Sequence, residues 1–411
     1  MVSKETGRTN MGGDNNFMNT VLDFYKDKTV FLTGHTGFKG TWLTRTLLLA
    51  GAKVVGYSLN PPTDPALFNM AGFDEYIESG KFKSVIGDVR DLVELSAAVK
   101  EAKPDILFHL AAQPIVRDSY KDPVYTYETN VMGTVNVMES VRQEMLSGHK
   151  IGSVVIITTD KVYKNVERDL WGYREYEELD GYDPYSNSKS CAELAVHSYR
   201  DSFFKASEAE KGAGRNWIVP ISTARAGNVI GGGDFANDRI IPDSVRAVEK
   251  AVKSGGEAVI PVRNPFSTRP YQHVLEPLAM YLTIAKKQYE DDSYADWYNV
   301  GPDDCDCVTT GDLVTLFCDS WNRVAISNDG VALPRVHWEN KAEANAPHEA
   351  GFLKLDSTKV KVRLGYKPRW HINECMDKTV EFSKVYLTDS VRIPQEMDRQ
   401  IGEFFNGLFT R

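Results

Sequence analysis

The sequence predicts an α/β protein that begins with a doubly wound parallel sheet and ends with a smaller C-terminal α/β lobe. Short apolar runs alternate with segments of helical periodicity over the first half of the chain, which is typical of parallel strands joined by helices. Glycine-rich or polar residues follow most of these runs. Because ligands bind beyond the carboxyl ends of parallel strands, we expect these residues to line one crevice.

The composition limits the classes of protein to consider. The chain has 411 residues, of which 42% are hydrophobic and 26% charged, as expected for a globular protein of one large or two coupled domains. No apolar run reaches the roughly 18 residues of a membrane span. The polar first 20 residues are expected to be disordered and lack the apolar segment of a signal peptide. The net charge of -9 argues against a general nucleic-acid binder.

The cysteines lack the spacing of metal ligands. Two of them lie close together in an acidic turn, but they form no recognisable zinc motif. We therefore predict reduced thiols in a cytoplasmic protein and no metal site. The five residues are Cys191, Cys305, Cys307, Cys318 and Cys375.

The first strand, Thr29–Thr33, runs directly into the turn G-H-T-G-F-K-G and then into an apolar helix over Trp42–Ala50. Gly34, Gly37 and Gly40 allow a tight turn, a close approach of backbone to a pyrophosphate and close packing of the helix on the strand. The free N–H groups at the helix start would face the phosphates. A glycine turn alone could be a simple loop, but the strand before it and the helix after it predict a dinucleotide site of Rossmann type.

The second and third strands end differently. Lys53–Tyr57 ends in S-L-N-P-P, without the acid that often binds the adenosine ribose. Ser58 or Asn60 could take its place, and the choice between NAD and NADP stays open. The third strand ends at Asp88 in V-I-G-D-V-R-D, where Asp91 could cap the next helix. Asp88 itself could contact the dinucleotide or serve as a capping carboxylate.

A fourth strand over Asp105–His109 runs into L-A-A-Q, whose small residues would let a dinucleotide pass close to the backbone. His109 could be a ligand, but a histidine at the end of a buried strand is more often a core residue. The segment 122–144 has apolar residues at helical spacing, which predicts a helix in the core or at a dimer interface. These residues are Val124, Tyr127, Val131, Val135 and Met138.

The residues with catalytic potential lie in two motifs after the fifth strand, T-T-D-K at Thr158–Lys161 and Y-S-N-S-K at Tyr185–Lys189. If Tyr185 begins a helix, Lys189 lies one turn later on the same face. Its ammonium would lower the pKa of the phenol from about 10 toward the range of a general base, although the pair could also lie on the surface. Beside a nicotinamide, Thr159 could hold a substrate hydroxyl while Tyr185 removes its proton, which would oxidise an alcohol.

Asp160 and Lys161 add an acid and a base that a plain alcohol dehydrogenase does not need. Oxidation of carbon 4 of a hexose to a ketone acidifies the proton on carbon 5, so a base can remove it while an acid protonates the departing 6-hydroxyl. Return of the hydride to carbon 6 gives a 4-keto-6-deoxy sugar with no net use of cofactor. Asp160 suits the acid role if burial keeps it protonated, and Lys161 the base role if burial and cations keep it uncharged. A solvated turn is the alternative.

The second half of the chain is expected to bind the rest of such a substrate. A strand over Trp217–Ala224 leads into a glycine-rich turn, where this lobe should begin. A nucleotide diphosphate needs cations, and Arg239 and Arg269 are the candidate clamps because a guanidinium holds phosphate in a bidentate manner. The other candidate contacts are Gln113, Asn228, Gln272 and His273.

Further along, we predict a helix ending at Lys287, a strand over Trp297–Val300, an irregular run over 322–349 and an amphipathic helix over Asn373–Val385. The tail 392–411 contains apolar residues that predict a packed or partner-binding helix. These residues are Ile401, Phe404, Phe405 and Leu408.

Together, several motifs make the chain resemble the extended short-chain dehydrogenase/reductases and, among them, the nucleotide-sugar 4,6-dehydratases of the CDP-glucose type. The resemblance runs from about residue 26 to about residue 385. Lys161 separates the chain from the dTDP-glucose 4,6-dehydratases, which have a glutamate at that position. The CDP-glucose enzymes have a lysine there, as this chain does. The motifs are G-x-x-G-x-x-G, T-T-D-K-V-Y, W-G-Y-R-E, G-Y-D-P-Y-S-N-S-K, A-R-A-G-N-V-I-G-G-G-D, D-R-I-I-P-D, R-P-Y-Q-H-V-L-E-P and P-H-E-A-G-F-L-K-L-D.

The resemblance implies conversion of CDP-glucose to CDP-4-keto-6-deoxyglucose and water, for deoxysugar synthesis in surface glycans such as lipopolysaccharide O-antigen. It also implies tightly held NAD and a homodimer or homotetramer, and the choice of cytidine depends on it alone. The implied catalytic residues are Thr159, Asp160, Lys161, Tyr185 and Lys189. The expected dinucleotide contacts are Gly34, Thr36, Gly37, Phe38, Lys39, Gly40, Asp88, Val89, Leu110, Ala111, Ala112, Gln113, Tyr185 and Lys189.

The expected domains are an N-terminal extension (1–20), a dinucleotide-binding domain (26–225), a nucleotide-sugar lobe (226–390) and a C-terminal tail (391–411). Part of 268–300 is expected to return to the first domain. Two other functions stay open: a dehydratase or 4-epimerase for a UDP, dTDP or GDP hexose, and a non-catalytic dinucleotide-binding protein. The expected partner is a small molecule rather than nucleic acid or a membrane.

Overall fold

The computed structural model of the protein describes residues 21–168, 171–212, 214, 216–323, 333–342 and 351–405. Its described strands are β1 (Thr29–Thr33), β2 (Lys53–Ser58), β3 (Phe82–Ile86), β4 (Ile106–His109), β5 (Ser153–Thr159), β6 (Ile221–Ala226), β7 (Val229–Ile230), β8 (Ala258–Val262), β9 (Thr268–Pro270), β10 (Gln272–His273), β11 (Trp297–Val300), β12 (Cys307–Thr309) and β13 (Val336–Asn340). A seven-stranded parallel sheet, in the order β11-β6-β5-β4-β1-β2-β3, forms the centre.

Helices cover both faces of this sheet. The described α-helices are α1 (Phe38–Leu49), α2 (Leu67–Met70), α3 (Asp74–Glu78), α4 (Leu92–Ala102), α5 (Val116–Lys121), α6 (Pro123–Tyr127), α7 (Gly133–Leu146), α8 (Pro184–Phe203), α9 (Glu208–Gly212), α10 (Ile240–Ser254), α11 (Leu275–Glu290), α12 (Thr310–Arg323), α13 (Thr358–Leu364), α14 (Ile372–Thr388) and α15 (Ile393–Phe404). Within the described ranges, none of the helices has the length and apolar character needed to cross a membrane.

The sheet separates two apolar layers because successive strand residues point to opposite faces. Val30 and Leu32 of β1 belong to the layer that contains α1 and α11, whereas Phe31 belongs to the layer that contains α4, α7 and α8. The chain passes from β3 at one edge back to β4 beside β1. This crossing is the switch point of a doubly wound sheet, where the carboxyl ends of the strands open a crevice. The predicted fold class is therefore confirmed.

A second apolar core lies in the C-terminal half. β8 and β13 pair in parallel, and their buried residues pack with α10, α12 and α14. β11, which comes later in sequence than β8, lies instead beside β6 at the edge of the main sheet. The domain boundaries given above stay a prediction.

The limits of several predicted elements are wrong. The helix expected over Trp42–Ala50 begins at Phe38, because Gly37 takes the extended N-cap conformation directly after the turn. The strand expected over Trp217–Ala224 is Ile221–Ala226, and Trp217 instead forms an isolated bridge with Lys205. The run expected to be irregular contains β13, which pairs with β8.

The helix predicted over 122–144 is interrupted. A π-helical turn at Glu128–Met132 separates α6 from α7. Met138 is buried, but Val124 is 66% exposed, so the N-terminal half of this segment does not lie in the core, and its predicted place at a dimer interface stays a prediction. The buried side chains there are mostly small or polar, and they include Thr126, Thr129, Asn130 and Thr134. The remaining predicted core residues are only partly buried, and they are Tyr127, Val131 and Val135.

The C-terminal tail contains the predicted packed helix. α15 lies in the same apolar layer as α1, and the carboxylate of Asp398 forms two 2.6 Å contacts with the guanidinium of Arg45 in α1. The tail therefore braces the helix that follows the glycine turn. Leu408 and the predicted disordered extension lie outside the described residues. The predicted apolar tail residues within the described part of the chain are all fully buried, and they are Ile401, Phe404 and Phe405.

A buried ion pair joins α8 to the central strands. Glu193 of α8 and Arg225 of β6 have fully buried side chains, with 2.8 Å between carboxylate and guanidinium. The carboxylate of Glu193 also accepts hydrogen bonds from Thr158 of β5 at 2.5 Å and from Thr223 of β6 at 2.8 Å. Burial alone would raise the pKa of Glu193, but the Arg225 guanidinium and the hydrogen bonds hold it well below its usual range. These contacts fix α8 at the end of β5.

We expect Glu193→Gln to lower the free energy of unfolding by about 3–5 kcal/mol, because Arg225 would remain buried without a counter-charge. Glu101→Gln, which removes an exposed ion pair with Lys83, should leave it almost unchanged. Urea unfolding followed by circular dichroism measures both variants. Because the pKa of Glu193 is depressed, its contribution is complete above the unfolded value of about 4.3 and is lost as the pH falls toward the folded value. Equal stability of the two variants at neutral pH would contradict this account.

Candidate active site

The glycine turn packs tightly against the segment that follows β4. Gly34 has a φ of +77°, and a Cβ there would lie 2.7 Å from the backbone nitrogen of Ala111. A Cβ on Gly40 would lie 2.0 Å from the carbonyl oxygen of Gly34, so glycine is required at both positions. α1 begins directly after the turn, and no side chain caps it at Gly37. The first backbone N–H groups of α1 are therefore available to a ligand.

Hydrogen bonds hold the end of β2. Thr36 Oγ1 lies 2.9 Å from Ser58 Oγ and donates to the carbonyl oxygen of Leu59 at 2.9 Å. Ser58 is buried, whereas Asn60 is exposed. Of the two predicted ribose contacts, Asn60 has the more accessible side chain.

Asp88 is engaged with Arg90. Its carboxylate lies 2.7 Å from the guanidinium and accepts the backbone N–H of Arg90 at 2.9 Å. The cap of α4 is Asp91, which accepts the backbone N–H groups of Val93 and Glu94. The predicted cap is confirmed, and the partly exposed carboxylate of Asp88 stays a candidate dinucleotide contact. The neighbouring candidate, Val89, is buried.

Hydrogen bonds from polar side chains hold the segment after β4 in place. Thr33 Oγ1 accepts the backbone N–H groups of Leu110 at 3.1 Å and Ala111 at 3.2 Å. His109 lies buried between the hydroxyls of Thr33 and Thr134, at 2.7 and 3.1 Å. Burial lowers the pKa of His109 to about 3, with a smaller effect from the charge of Lys189. The prediction that this histidine is a core residue is confirmed.

Gln113 directs its side chain into the protein. Its amide nitrogen donates to the carbonyl oxygen of Ile115 at 3.1 Å and to Thr126 Oγ1 at 2.9 Å, and its amide oxygen accepts from the backbone of Ile115 at 2.6 Å. Its backbone N–H donates to Asn130 of the π-helical turn at 2.8 Å, and Asn130 in turn donates to Ser188 of α8 at 2.9 Å. Both amide donors of Gln113 are thus used internally, which does not favour its predicted contact with substrate.

The polar residues after β5 form one cluster. Thr159 Oγ1 donates to Asp160 Oδ1 at 2.9 Å. Lys161 Nζ donates to the same oxygen at 3.2 Å and to Asn228 Oδ1 at 3.4 Å. Asp160 is fully buried, and its Oδ2 has no hydrogen-bond partner among the described residues. A Cβ on Gly227 would lie 3.3 Å from Oδ2, so this glycine leaves space for a proton or ligand there.

Tyr185 and Lys189 lie one turn apart on the buried face of α8, so the surface-pair alternative does not apply. Burial raises the pKa of Tyr185 to about 12, against the opposing effect of a hydrogen bond with Thr159. The expectation that Lys189 lowers the pKa of this phenol is therefore wrong for this structure. Burial is the dominant effect, and Lys189 Nζ donates instead to the carbonyl oxygen of Ile157 at 3.3 Å.

Several positively charged side chains lie close together in the crevice. Burial and the Lys39 ammonium lower the pKa of Lys189 to about 7. Arg239, just before α10, lies close enough to oppose the rise in the pKa of Tyr185, and it forms a 2.9 Å ion pair with Asp234. Arg239 stays a candidate phosphate contact because its guanidinium is partly exposed beside the catalytic candidates.

Two other predicted nucleotide contacts are buried. Arg269 lies at β9 and donates to the carbonyl oxygen of Thr268 at 2.9 Å. Gln272 donates to the carbonyl oxygen of Val300 at 2.9 Å, and its amide oxygen has no partner among the described residues. Both side chains could reach a ligand only through the small surface that they expose.

His273 belongs to the core. Its ring lies edge-on between Trp42 and Trp370, with centroid distances of 6.2 and 4.8 Å. Burial lowers its pKa to about 3, with a smaller effect from Lys378. The ring is fully buried and its Nε2 has no hydrogen-bond partner among the described residues, and the predicted contact of His273 with a nucleotide stays a prediction.

One cysteine lies near other ligand types. The ligand atoms of Cys305, Asp306 and His371 lie within 4.8 Å of one another. Asp306 accepts hydrogen bonds from His371 Nδ1 and from the backbone N–H of Ile372, both at 2.9 Å. Asp306 thus caps α14 and pairs with the histidine, and these bonds account for the cluster without an ion. All five cysteines are unpaired.

The sequence patterns miss the residues that support the crevice. Glu193 follows Lys189 by one helical turn, which places it on the same face, but no spacing identifies Arg225 as its partner. The glycine turn predicts contact between Lys39 and a dinucleotide. It does not predict that the ammonium of Lys39 faces Asp160, which depends on the packing of the turn after β5.

Known proteins share this sequence and fold. The sequence model described as GDP-mannose 4,6 dehydratase matches residues 31–379. The CDP-glucose 4,6-dehydratase of Salmonella typhimurium is 44% identical over 366 residues, which cover 89% of this chain and 93% of that protein. The GDP-mannose 4,6-dehydratase of Vibrio cholerae is 28% identical over 181 residues, or 43% of this chain and 46% of that protein.

Solved structures with lower identity have the same fold. The dTDP-glucose 4,6-dehydratase of Bacillus anthracis, in complex with NAD, has a TM-score of 0.62 at 17% identity and covers 87% of this chain and 96% of its own. The UDP-glucuronic acid 4-epimerase of Bacillus cereus, in complex with UDP-glucuronic acid and NAD, has a TM-score of 0.66 at 18% identity, with coverages of 87% and 99%. With the match over residues 31–379 and the 44% identity to the Salmonella protein, the chain belongs to the GDP-mannose 4,6 dehydratase family.

Proposed function

We propose that the protein is a nucleotide-sugar 4,6-dehydratase that uses NAD to convert CDP-glucose into CDP-4-keto-6-deoxyglucose and water. The observation that carries this proposal is the cluster of Thr159, Asp160 and Lys161 beside Tyr185. An alcohol dehydrogenase needs only the phenol, whereas a dehydratase also needs an acid and a base at the same sugar. The 44% identity with the Salmonella CDP-glucose 4,6-dehydratase supports the choice of substrate.

The crevice fits a dinucleotide. The turn from Gly34 to Gly40 excludes side chains at its outer glycines, and α1 offers backbone N–H groups beside it. Lys39 and Lys189 add positive charge that a pyrophosphate would neutralise. The residues that would hold the dinucleotide are those of the turn, the L-A-A segment and the Tyr185–Lys189 pair. When bound, NAD supplies a reversible acceptor for hydride.

The first step needs a base at the hydroxyl of carbon 4. Thr159 and Tyr185 are within hydrogen-bond reach of each other, so Thr159 can orient a substrate hydroxyl while Tyr185 takes its proton. With a pKa of about 12, the phenol is protonated at neutral pH in this structure. The charge of Arg239 lowers the pKa of Tyr185, against the effect of burial. A further cation beside the phenol would favour the phenolate.

Asp160 and Lys161 can then carry out the elimination. Lys161, as the free amine, takes the proton from carbon 5, and Asp160, as the acid, protonates the departing 6-hydroxyl so that water leaves. Thr159 and Lys161 occupy Oδ1 of Asp160, which leaves Oδ2 to carry the transferred proton. Addition of hydride at carbon 6 and of a proton at carbon 5 completes a product that is the substrate minus one water.

A 4-epimerase for another nucleotide hexose is the second candidate function. It would use Tyr185 and Lys189 in the same way and leave the acid–base pair idle. The 3.2 Å contact between Lys161 and Asp160 favours this candidate if both groups stay charged, because a protonated lysine is not a base. The two functions differ in product mass, since only the dehydratase removes water.

Self-association and a cytoplasmic location belong to the same proposal. Apolar side chains are exposed on α8 and along the segment from α6 to α7, and a patch of this kind supports an interface between identical copies. Free thiols at all five cysteines support a reducing compartment. The exposed large apolar residues of α8 and of the segment from α6 to α7 are Val124, Met132, Leu146, Leu194 and Phe203.

Substitutions at the two motifs should stop the reaction at different steps. Tyr185→Phe should abolish oxidation at carbon 4, so no absorbance of reduced dinucleotide should develop when the nucleotide glucose is added. Lys161→Ala should allow this absorbance to develop but slow the loss of water by about a hundredfold or more. Stopped-flow absorbance and product mass measure the two steps. Lys164→Ala, which removes an exposed pair with Glu178, is the matched control, and loss of water at the normal rate in Lys161→Ala would refute the base assignment.

The nucleotide preference can be measured with CDP-, UDP-, dTDP- and GDP-glucose side by side. We expect the highest kcat/KM with CDP-glucose and a product lighter than the substrate by one water. A higher kcat/KM with another nucleotide would overturn the choice of cytidine. A product of unchanged mass with all four would overturn the dehydratase and favour the epimerase.

A further inference from the structure

A segment from the C-terminal half of the chain touches two elements that line the crevice. It runs from Gly231, just after β7, to Arg239, just before α10. Near its start, the carbonyl oxygen of Gly232 accepts a hydrogen bond from the indole N–H of Trp42 in α1 at 3.0 Å. A Cβ on Gly231 would lie 3.4 Å from the ring of Phe38, the first residue of α1. The segment therefore begins against the helix that follows the glycine turn.

Asp238 holds the other end of the segment. Its carboxylate lies 3.2 Å from the guanidinium of Arg117 in α5 and 3.0 Å from that of Arg263, just after β8. α5 in turn contacts the start of α8, because Ser119 Oγ accepts the backbone N–H of Tyr185 at 3.1 Å. Asp238 therefore joins the helix beside Tyr185 to the C-terminal half of the chain.

The backbone of Asp238 has a conformation that few residues adopt. Its φ is +58°, in the left-handed region, where aspartate and asparagine are tolerated better than most residues other than glycine. The next residue, Arg239, returns to an extended conformation and stands at the N-cap position of α10. The two ion pairs of Asp238 thus hold the turn from which Arg239 leaves the segment.

Arg239 has the capacity to bind a ligand. Its side chain is 36% exposed, and its guanidinium has one hydrogen-bond partner among the described residues, the carboxylate of Asp234 at 2.9 Å. Asp234 is fixed in turn, since its other carboxylate oxygen accepts the backbone N–H of Ala236 at 3.1 Å. A guanidinium has five N–H donors, so most of those of Arg239 stay available to a diphosphate.

We propose that Asp238 is a positioning residue for substrate binding: held by Arg117 and Arg263, it keeps Arg239 where the guanidinium can bind the diphosphate of the nucleotide sugar. This inference rests on the nucleotide-diphosphate ligand of the proposed function and adds a residue that acts through Arg239. Isolated ion pairs of partly exposed side chains contribute little to stability. A carboxylate shared by guanidinium groups from two different elements instead fixes a position, so the effect should appear in the affinity for a diphosphate.

The test measures the affinity of the protein, at saturating NAD, for CDP by calorimetry and for cytidine by ligand-detected nuclear magnetic resonance. In Asp238→Asn and Asp238→Gly the dissociation constant for CDP should rise about tenfold. Both variants tolerate the left-handed conformation but lose the two ion pairs. The dissociation constant for cytidine should stay unchanged, because cytidine has no phosphate for Arg239 to bind. Equal weakening of both ligands would indicate a general defect of the site and would contradict the proposal.

A double variant shows whether Asp238 acts through Arg239. Arg239→Ala should weaken CDP binding more than Asp238→Asn does, and the two substitutions together should weaken it no further than Arg239→Ala alone. Additive losses would overturn the proposal, because Asp238 would then act independently of Arg239. Glu249→Gln, which removes an ion pair with Lys253 further along α10 at 2.8 Å, is the matched control and should bind CDP as the parent does.

The remaining outcomes separate this inference from the proposed function. Unchanged CDP affinity in Asp238→Asn and Asp238→Gly would mean that the backbone conformation alone positions Arg239, and the proposal would be wrong. If the parent binds CDP no more tightly than cytidine, Arg239 does not bind the diphosphate, and the inference fails even if water is removed from CDP-glucose. If the parent removes no water but the variants lose CDP affinity as expected, the dehydratase fails and the role of Asp238 stands. Circular dichroism shows which variants are folded, and either variant of Asp238 is sufficient for the comparison.

Discussion

The buried pair of Glu193 and Arg225 is the interaction on which the rest of the site depends. The carboxylate of Glu193 joins α8 to β6 through Arg225 at 2.8 Å and to β5 through Thr158 at 2.5 Å. Tyr185 and Lys189 precede Glu193 on the same buried face of the helix. Fixing the glutamate therefore fixes both side chains above the end of β5. Desolvation makes such a pair a weak source of net stability, but its directed hydrogen bonds select one position for the helix.

Positive charge is the second property that the whole crevice shares. Two carboxylates, Asp160 and Asp234, face the ammonium of Lys39, and each already has a cationic partner. The surplus suits phosphorylated ligands. The buried Oδ2 of Asp160 has no hydrogen-bond partner among the described residues.

Local sequence predicts the sheet, the glycine turn and the position of the motifs, because strand period, helix period and turn conformation are properties of neighbouring residues. Gly34 and the cap at Asp91 follow from such patterns. The direction in which a polar side chain points does not follow from local sequence. His273 becomes a core residue because Trp42 and a tryptophan far away in sequence enclose it. The pKa of Tyr185 rises to about 12 because of burial, which its spacing from the lysine cannot indicate.

Oxidation, elimination and reduction must all act on one hexose in one crevice if the proposed function is correct. CDP-glucose that carries deuterium at carbon 4 tests this requirement most directly. We predict that the protein, working in ordinary water, moves the deuterium to carbon 6 of the same molecule, where nuclear magnetic resonance and mass spectrometry detect it in the new methyl group. A product without deuterium at carbon 6, or transfer of deuterium to unlabelled molecules in a mixed sample, would contradict the single crevice.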